Sequence, residues 1–342
     1  MGLFDFFKTH DVAIDLGTAN TLIIHNDKIV VDEPSIVAMD RQSGEVIAVG
    51  TKAQQMHGKA HEGIKTVRPL KDGVIADFKA SEYMIRELIK KIPSLKNSMR
   101  SPSLRMVICI PSGITEVEKR AVRDSAEHAG AKEIYLIQEP MAAAIGIGID
   151  VQEPKGNMII DIGGGTTEIA VLALGGIVCD KSIKVAGDIF TNDISYYMRT
   201  QHNLYIGERT AERIKIEVGA AVTELETPPD EFAVQGRDLM TGKPKQVIVS
   251  YVEIAKALDK SISQIEEAIM QALAMTPPEL AADIYNTGIY LAGGGSMLRG
   301  LDKRISKKTE LPVYIAEDPL RAVVRGTGIS LKNVDNYGFL MK

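Results

Sequence analysis

The chain has 342 residues, 45% hydrophobic and 25% charged, with a formal net charge of −5. This is the balance of an ordinary soluble globular protein, and it is long enough for two cores, since one core rarely grows past about 250–300 residues. The mild acidity gives no support to nucleic-acid binding, which asks for a basic patch.

The first residues read MGLFDFFKTHD. They are too short, and carry an acid too early, for a signal peptide. Phe6 stands where the myristoylation pattern needs Ser or Thr. Leu3, Phe4, Phe6 and Phe7 are four large apolar groups on an unpaired terminus. They either tuck onto a domain or form an interfacial anchor. No later run approaches the roughly 18 apolar residues of a membrane span.

Next comes AIDLGTANTLII, Ala13 to Ile24. It is repeated later as IIDIGGGTTEIA, at a constant offset of 146 residues that pairs Asp15 with Asp161, Gly17 with Gly163 and Thr21 with Thr167. Each copy has an apolar run on either side of a Gly/Thr turn, so each is expected to be a β-hairpin tip. Between them, PSIVAMDRQSGEVIAVG predicts a hairpin around Ser43-Gly44, followed by a polar stretch to about Gly63. RMVICIPSG predicts a buried strand, with Cys109 inside it. Cys109 and Cys179 show no metal spacing and read as small core residues of a reducing compartment. The six histidines show no ligand spacing either. A helix follows, opened by a Thr115/Glu118 capping box and stopped at Gly130. YLIQEPMAAAIG then predicts strand, acid-proline, helix.

The second half repeats this order. GIYLAGGGSMLRGL leads into the helical LDKRISKKT, and VYIAEDPLRAVVRG matches YLIQEPMAAAIG, with Asp318-Pro319 paired to Glu139-Pro140. Its insertion carries Phe190, Ile194 and Tyr197 at helical spacing, a helix from Glu208 to Val218 stopped by Gly219, and a polar hairpin from Phe232 to Val249. A long helix with Leu258, Ile262, Ile265 and Ile269 on one face ends at Pro277-Pro278. The chain therefore reads as two similar α/β halves with smaller insertions.

Two matched hairpin tips suggest a ligand clamped between the halves. Glycines let backbone N–H groups approach phosphate oxygens, and Thr18, Asn20, Thr21, Thr166 and Thr167 add neutral donors. Asp15 and Asp161 beside a polyphosphate imply Mg²⁺, held through water because that ion dehydrates reluctantly. Asp188, in VAGDIF, reads equally as a helix N-cap or as a neighbour of the nucleotide.

At these residues the chain resembles the actin/Hsp70/sugar-kinase ATPase superfamily, through DLGTANT, DIGGGTTE and LAGGGSMLRG. Within it the chain is similar to the MreB family of bacterial actins over almost its whole length, through EPSIVA, RPLKDGVIADF, QEPMAAAIG and GERTAERIK as well. The resemblance implies a duplicated, ribonuclease H-like actin fold of the α/β class, with ATP or ADP in the cleft between two domains. It implies a first core domain of 1–31, 66–146 and 322–342 with 32–65 inserted, and a second of 147–182 and 246–321 with 183–245 inserted. It assigns phosphate contacts to Gly17, Thr18, Ala19 and Asn20 and to Gly163, Gly164, Gly165 and Thr166, and the Mg²⁺ shell to Asp15 and Asp161. Gly293, Gly294, Gly295, Ser296 and Met297 would pack on the adenosine. Glu212, Arg213, Ile214 and Lys215 would lie by base and ribose, the plainer reading of Glu212/Lys215 being a solvated ion pair. Glu139 would orient the hydrolytic water, with Thr166 or Thr167 sharing the task; an acid at this place otherwise reads as an N-cap.

Fold alone does not settle function in this superfamily. A filament-forming ATPase is expected, over a small-molecule kinase or an Hsp70-type chaperone, which would need a peptide-binding domain beyond Lys342. The family also implies paired antiparallel filaments on the inner face of the cytoplasmic membrane, working with transmembrane proteins of cell-wall elongation. Leu3, Phe4, Phe6 and Phe7 would then insert in the membrane, helped by Leu95 and Met99.

Overall fold

The computed structural model describes residues 9–96 and 103–342. The chain divides into two compact units: residues 1–154, 172–178 and 320–342, and residues 155–171 and 179–319.

The first unit is built on a five-stranded sheet ordered Ala131–Gln138, Ser103–Ile110, Thr9–Leu16, Asn20–His25, Lys28–Pro34. Thr9–Leu16 runs parallel to Ser103–Ile110, with Asp15 opposite Cys109, and antiparallel to Asn20–His25. The turn to the third strand uses Asn26 and Asp27, both at positive φ, as a tight two-residue hairpin loop requires. The apolar run predicted around Cys109 is the buried strand Ser103–Ile110, and Cys109 and Cys179 are both free and buried.

The five strands associated with the second hairpin follow the same order when read from the opposite edge: Val313–Ile315, Ile289–Ala292, Asn157–Ile162, Thr167–Ala173, Gly176–Ile183. In each sheet the first three strands in sequence lie together, and the fourth and fifth add beside the first. The sequence repeat is thus a repeat of topology. Asn157–Ile162 is buried along its whole length, as expected of a strand covered on both faces. Residues 172–178 cluster with the first unit, where the N–H groups of Leu174 and Gly175 reach the carbonyls of Glu153 and Val151.

The helix Glu116–His128 starts on the expected Thr115/Glu118 capping box. Ser250 and Glu253 form a second box, opening the long helix Tyr251–Met275. In the first unit, helices Glu139–Gly146 and Ala322–Lys332 cross backbone to backbone. A Cβ on Gly146 would stand 1.8 Å from the Ala322 carbonyl oxygen, and one on Gly326 would stand 1.8 Å from that of Ala142. Glycine is therefore obligatory on both sides of the crossing.

Two small three-stranded sheets occur, one of Val37–Asp40, Val46–Val49 and Ile64–Val67, the other of Leu204–Tyr205, Phe232–Asp238 and Pro244–Val249. The stretch read as merely polar to Gly63 contains a helix, Thr51–Met56. Its start is fixed from outside, because Glu33 accepts bonds from the Thr51 N–H (2.7 Å) and hydroxyl (2.6 Å).

Leu95 corrects the sequence reading. It lies in the short helix Pro93–Lys96 and is buried in the core of the first unit with Leu88, Ile89 and Ile92, so it is not presented for membrane insertion. Leu3, Phe4, Phe6, Phe7 and Met99 lie outside the described residues. Among the described residues no helix is long and apolar enough to cross a membrane.

Candidate functional site

In the first unit, Gly17, Thr18 and Ala19 join the strands Thr9–Leu16 and Asn20–His25. Two carbonyls of this loop are held from behind by one residue. Ser35 donates its hydroxyl to the Gly17 carbonyl at 2.6 Å and its N–H to the Ala19 carbonyl at 2.9 Å. Thr21, fully buried, lies 2.9 Å from the Ser35 hydroxyl and locks it in place. Thr18 is buried, and its hydroxyl accepts the Gly73 N–H at 2.9 Å. Gly73 belongs to a turn in which both Asp72 and Gly73 have positive φ. Asn20 stays exposed at the tip.

Asp15 sits just before the loop. It is only half-buried as a residue, yet its carboxyl is poorly hydrated, and burial pushes its pKa up to about 7. An oxygen donor held this way favours a cation or a proton nearby.

Glu139 follows the strand Ala131–Gln138 and is the first residue of the helix Glu139–Gly146; Gln138 holds the N-cap position. The capping alternative for Glu139 is therefore not the arrangement found. Pro140 behind it is buried and fits the first turn, where a missing N–H costs nothing.

The second hairpin loop, in the second unit, is built to the same plan with different parts. Gly163 donates its N–H to the Thr166 carbonyl at 2.9 Å, closing the loop. Its carbonyl receives the Gly187 N–H at 3.1 Å, and the Gly164 carbonyl receives the Asp188 N–H at 2.8 Å. Both donors open the helix Gly187–Gln201, whose N-cap is Ala186. Asp188 is thus not the cap; its backbone braces the loop. Thr167 also departs from expectation. It is fully buried, and its hydroxyl donates to the Val185 carbonyl at 2.7 Å. It pins the hairpin as Thr21 does at the matching position, which leaves Thr166 as the threonine of the loop itself.

Asp161 is buried at the end of Asn157–Ile162, in register with Ala292 of the neighbouring parallel strand. Gly293, next in sequence, packs directly on it. Its φ is +78°, and a Cβ would stand 2.4 Å from both Asp161 Oδ1 and the Ile162 carbonyl oxygen. Gly295 is pressed against Ile162 in the same way. Within this segment the side chain of Ser296 serves the turn, buried with its hydroxyl on the Gly293 carbonyl at 2.7 Å, while Met297 is exposed. The Asp318-Pro319 pair does not repeat the Glu139-Pro140 arrangement. Asp318 has positive φ and leads into a 3₁₀ turn, and the Pro319 carbonyl accepts the Gly293 N–H at 3.0 Å.

On the helix Glu208–Val218, Glu212 and Lys215 form an ion pair at 2.7 Å. It is more than a solvated surface pair, since the Lys215 ammonium also reaches the Gly187 carbonyl (3.0 Å) and the Thr191 hydroxyl (3.2 Å). Arg213 and Ile214, between them in sequence, point elsewhere, as the helical period requires. Ile214 is fully buried in the core, and the Arg213 guanidinium lies over the Phe232 ring.

Among the described residues no three His, Cys, Asp or Glu side chains form a metal cage. Taken each in its own unit, a carboxylate such as that of Asp15 or of Asp161 suits a hard cation that keeps most of its ligands as water or phosphate oxygen. Ser35, Gly73 and Gly187 are positioning residues that the sequence did not single out. Only the packing reveals them.

An MreB/Mbl protein family model matches residues 9–338. The chain is 48% identical over 335 residues to the cell shape-determining protein MreB of Escherichia coli K12, covering 96% of this chain and 95% of that one. It is 46% identical over 326 residues to the cell shape-determining protein Mbl of Bacillus subtilis, covering 95% and 96%. Among solved structures, MreB 5 of Spiroplasma citri bound to AMPPNP is similar with a TM-score of 0.89 at 38% identity, over 96% of this chain and 97% of that one. A MamK double helical filament, at 22% identity and a TM-score of 0.79, shares the fold over 96% of this chain and 99% of its own. The fold is actin-like, and the chain belongs to the MreB/Mbl family of cell shape-determining proteins.

Proposed function

We propose that this chain binds ATP with Mg²⁺, hydrolyses it, and polymerises head to tail into filaments whose stability follows the nucleotide state. The observation that carries the reading is the shared construction of the two hairpin loops. In each, two successive or near-successive carbonyls, Gly17 and Ala19 or Gly163 and Gly164, are turned onto donors behind the loop. A loop so held directs its remaining N–H groups to the other side, where a phosphate anion is stabilised without a lysine. MreB 5 of Spiroplasma citri, solved bound to AMPPNP and to ADP, supports the choice of nucleotide.

In this reading Gly17 to Asn20 and Gly163 to Thr166 hold phosphate oxygens. Asp15 and Asp161 take the outer shell of Mg²⁺, which would neutralise phosphate charge. Glu139 orients the water that attacks the γ-phosphate. Gly293, Gly294 and Met297 offer the adenosine a backbone and thioether surface, with Glu212 beside base and ribose. Residues 32–65 and 183–245 act as small inserted subdomains of the two units. Head-to-tail contacts are heterologous, so they extend into open filaments rather than closed rings.

We further propose that the filaments lie, paired and antiparallel, on the inner face of the cytoplasmic membrane through Leu3, Phe4, Phe6 and Phe7, and organise cell-wall elongation with transmembrane partners. One short apolar anchor binds weakly, but many along one filament bind with avidity. The kinase and chaperone alternatives would leave a monomer that turns over without assembling.

Electron microscopy of the purified protein with Mg-ATP on a lipid monolayer tests the whole reading. Lipid-bound filaments are expected; monomers that transfer phosphate to a small molecule would overturn it.

A further inference from the structure

Lys215 is tied into the second hairpin more deeply than a contact to base and ribose requires. Its side chain is 16% exposed, and its three N–H bonds have three acceptors: Glu212 Oε2 at 2.7 Å, the Gly187 carbonyl at 3.0 Å and the Thr191 hydroxyl at 3.2 Å. The Thr191 hydroxyl proton lies within reach of the same Gly187 carbonyl, 2.9 Å, and of Glu212 Oε2, 2.6 Å. The charged Lys215 donor therefore sits on the Gly187 carbonyl, while the single Thr191 proton has that carbonyl and the closer Glu212 oxygen as its two acceptors.

That carbonyl belongs to the peptide group joining Gly187 to Asp188, and the N–H of the same peptide donates to the Gly164 carbonyl at 2.8 Å. The Gly164 carbonyl belongs in turn to the peptide whose N–H is that of Gly165, at the crown of the phosphate loop. A cation on the oxygen of a peptide makes its N–H a stronger donor, and hydrogen bonds in series polarise one another. Close approach is secured by Gly187, where a Cβ would stand 3.3 Å from the Lys215 ammonium and 3.2 Å from the Gly163 carbonyl oxygen.

We propose that Lys215 is a positioning residue of the phosphate loop, acting through the Gly187–Asp188 peptide to hold the Gly164 carbonyl and strengthen the Gly165 N–H toward a phosphate oxygen. This rests on the nucleotide-binding reading above for its ligand, but not for its geometry. Glu212 opposes the effect, drawing the ammonium toward its own carboxylate. The ion pair sets how much positive charge reaches the loop.

The test is Lys215→Met in the full chain, read in two ways. The first needs no nucleotide: in amide NMR spectra the Asp188 and Gly165 protons should move upfield as the polarising charge is lost, and Glu212→Gln should move them the other way. The second is affinity for adenosine, ADP and ATP. A relay to the phosphate loop predicts that ATP and ADP weaken about two- to fivefold more than adenosine does, from a weakening of about 30% in a charge-assisted bond. Equal losses for all three ligands, or unmoved amides in both variants, would overturn the proposal. A wild-type chain that binds no ATP but shows the amide shifts would sink the nucleotide reading and leave the relay standing. If Lys215→Met fails to fold, Glu212→Gln alone carries the amide test: Asp188 and Gly165 protons moved downfield support the relay, and unmoved protons overturn it.

Discussion

Ser35 donates its hydroxyl to the carbonyl of Gly17 across 2.6 Å, and through that bond a residue 18 positions downstream decides which way the first hairpin loop faces. The second loop has no serine in this place. There the N-terminus of the helix Gly187–Gln201 supplies two N–H groups to Gly163 and Gly164. Each half braces two carbonyls of its loop, and the donors differ.

Ser35→Ala should therefore act on the ligand and on stability together. It leaves the Gly17 carbonyl and the buried Thr21 hydroxyl short of a partner, a loss of about 1–3 kcal/mol. Thermal unfolding should show that loss, and ATP titration should show weaker binding. A stable variant with unchanged affinity would mean the loop does not need its brace.

Glu139→Ala should leave ATP binding in place and slow phosphate release, by about 10²–10⁴-fold if Glu139 is the group that orients and polarises the water. Single-turnover phosphate release separates this from a binding defect. Unchanged hydrolysis would remove Glu139 from the mechanism.

Asp15→Asn replaces a carboxylate whose pKa burial has pushed up to about 7. In the absence of nucleotide the amide should be tolerated or stabilising at neutral pH, because no charge has to be kept out of water. Magnesium should then lose most of its effect on ATP affinity. A variant that is less stable without ligand and equally magnesium-dependent would contradict the assignment.

Gly326→Ala tests the helix crossing in the first unit. The new Cβ would overlap the Ala142 carbonyl oxygen, so the two helices must separate. A loss of about 1–3 kcal/mol or more is expected in denaturant unfolding, and little change would show that the crossing is loose.

Glu33 supplies a pH dependence. Burial opposes its ionisation, but the bonds from Lys91 and from the Thr51 side chain and backbone outweigh it and hold its pKa below the ordinary 4.5. A depressed carboxyl binds fewer protons folded than unfolded, so its contribution is complete above about pH 4.5 and is lost as pH falls through the native value. Glu33→Gln should lower the melting temperature at neutral pH and flatten its fall in acid. An unaltered acid limb would mean that other carboxylates govern it.

Much of the molecule was legible in one dimension. The repeat at Asp15 and Asp161 is a repeat of strand order, and the Thr115/Glu118 box and the Gly219 stop mark helix ends as read. These features depend on neighbours in sequence, where apolar periodicity and capping chemistry operate. The same logic failed where side chains are sorted by packing. Thr167 looked like a loop donor and is a buried pin; Leu95 looked like a membrane contact and is core; Arg213 and Ile214 sit in a motif but face away from Lys215.

By itself, then, the sequence determined the duplicated α/β plan, the two Gly/Thr loops with their aspartates, and membership of the MreB/Mbl family, because strand patterns and glycine turns are local in origin. Only the tertiary structure decided which acceptors of those loops, and of the helix that braces the second, are taken. That depends on Ser35, Gly73, Gly187 and Lys215, which lie from 18 to 55 residues away along the chain and meet the loops or their braces only after the chain has folded. A hydrogen bond is made between atoms about 3 Å apart in space, and no periodicity in sequence encodes that distance.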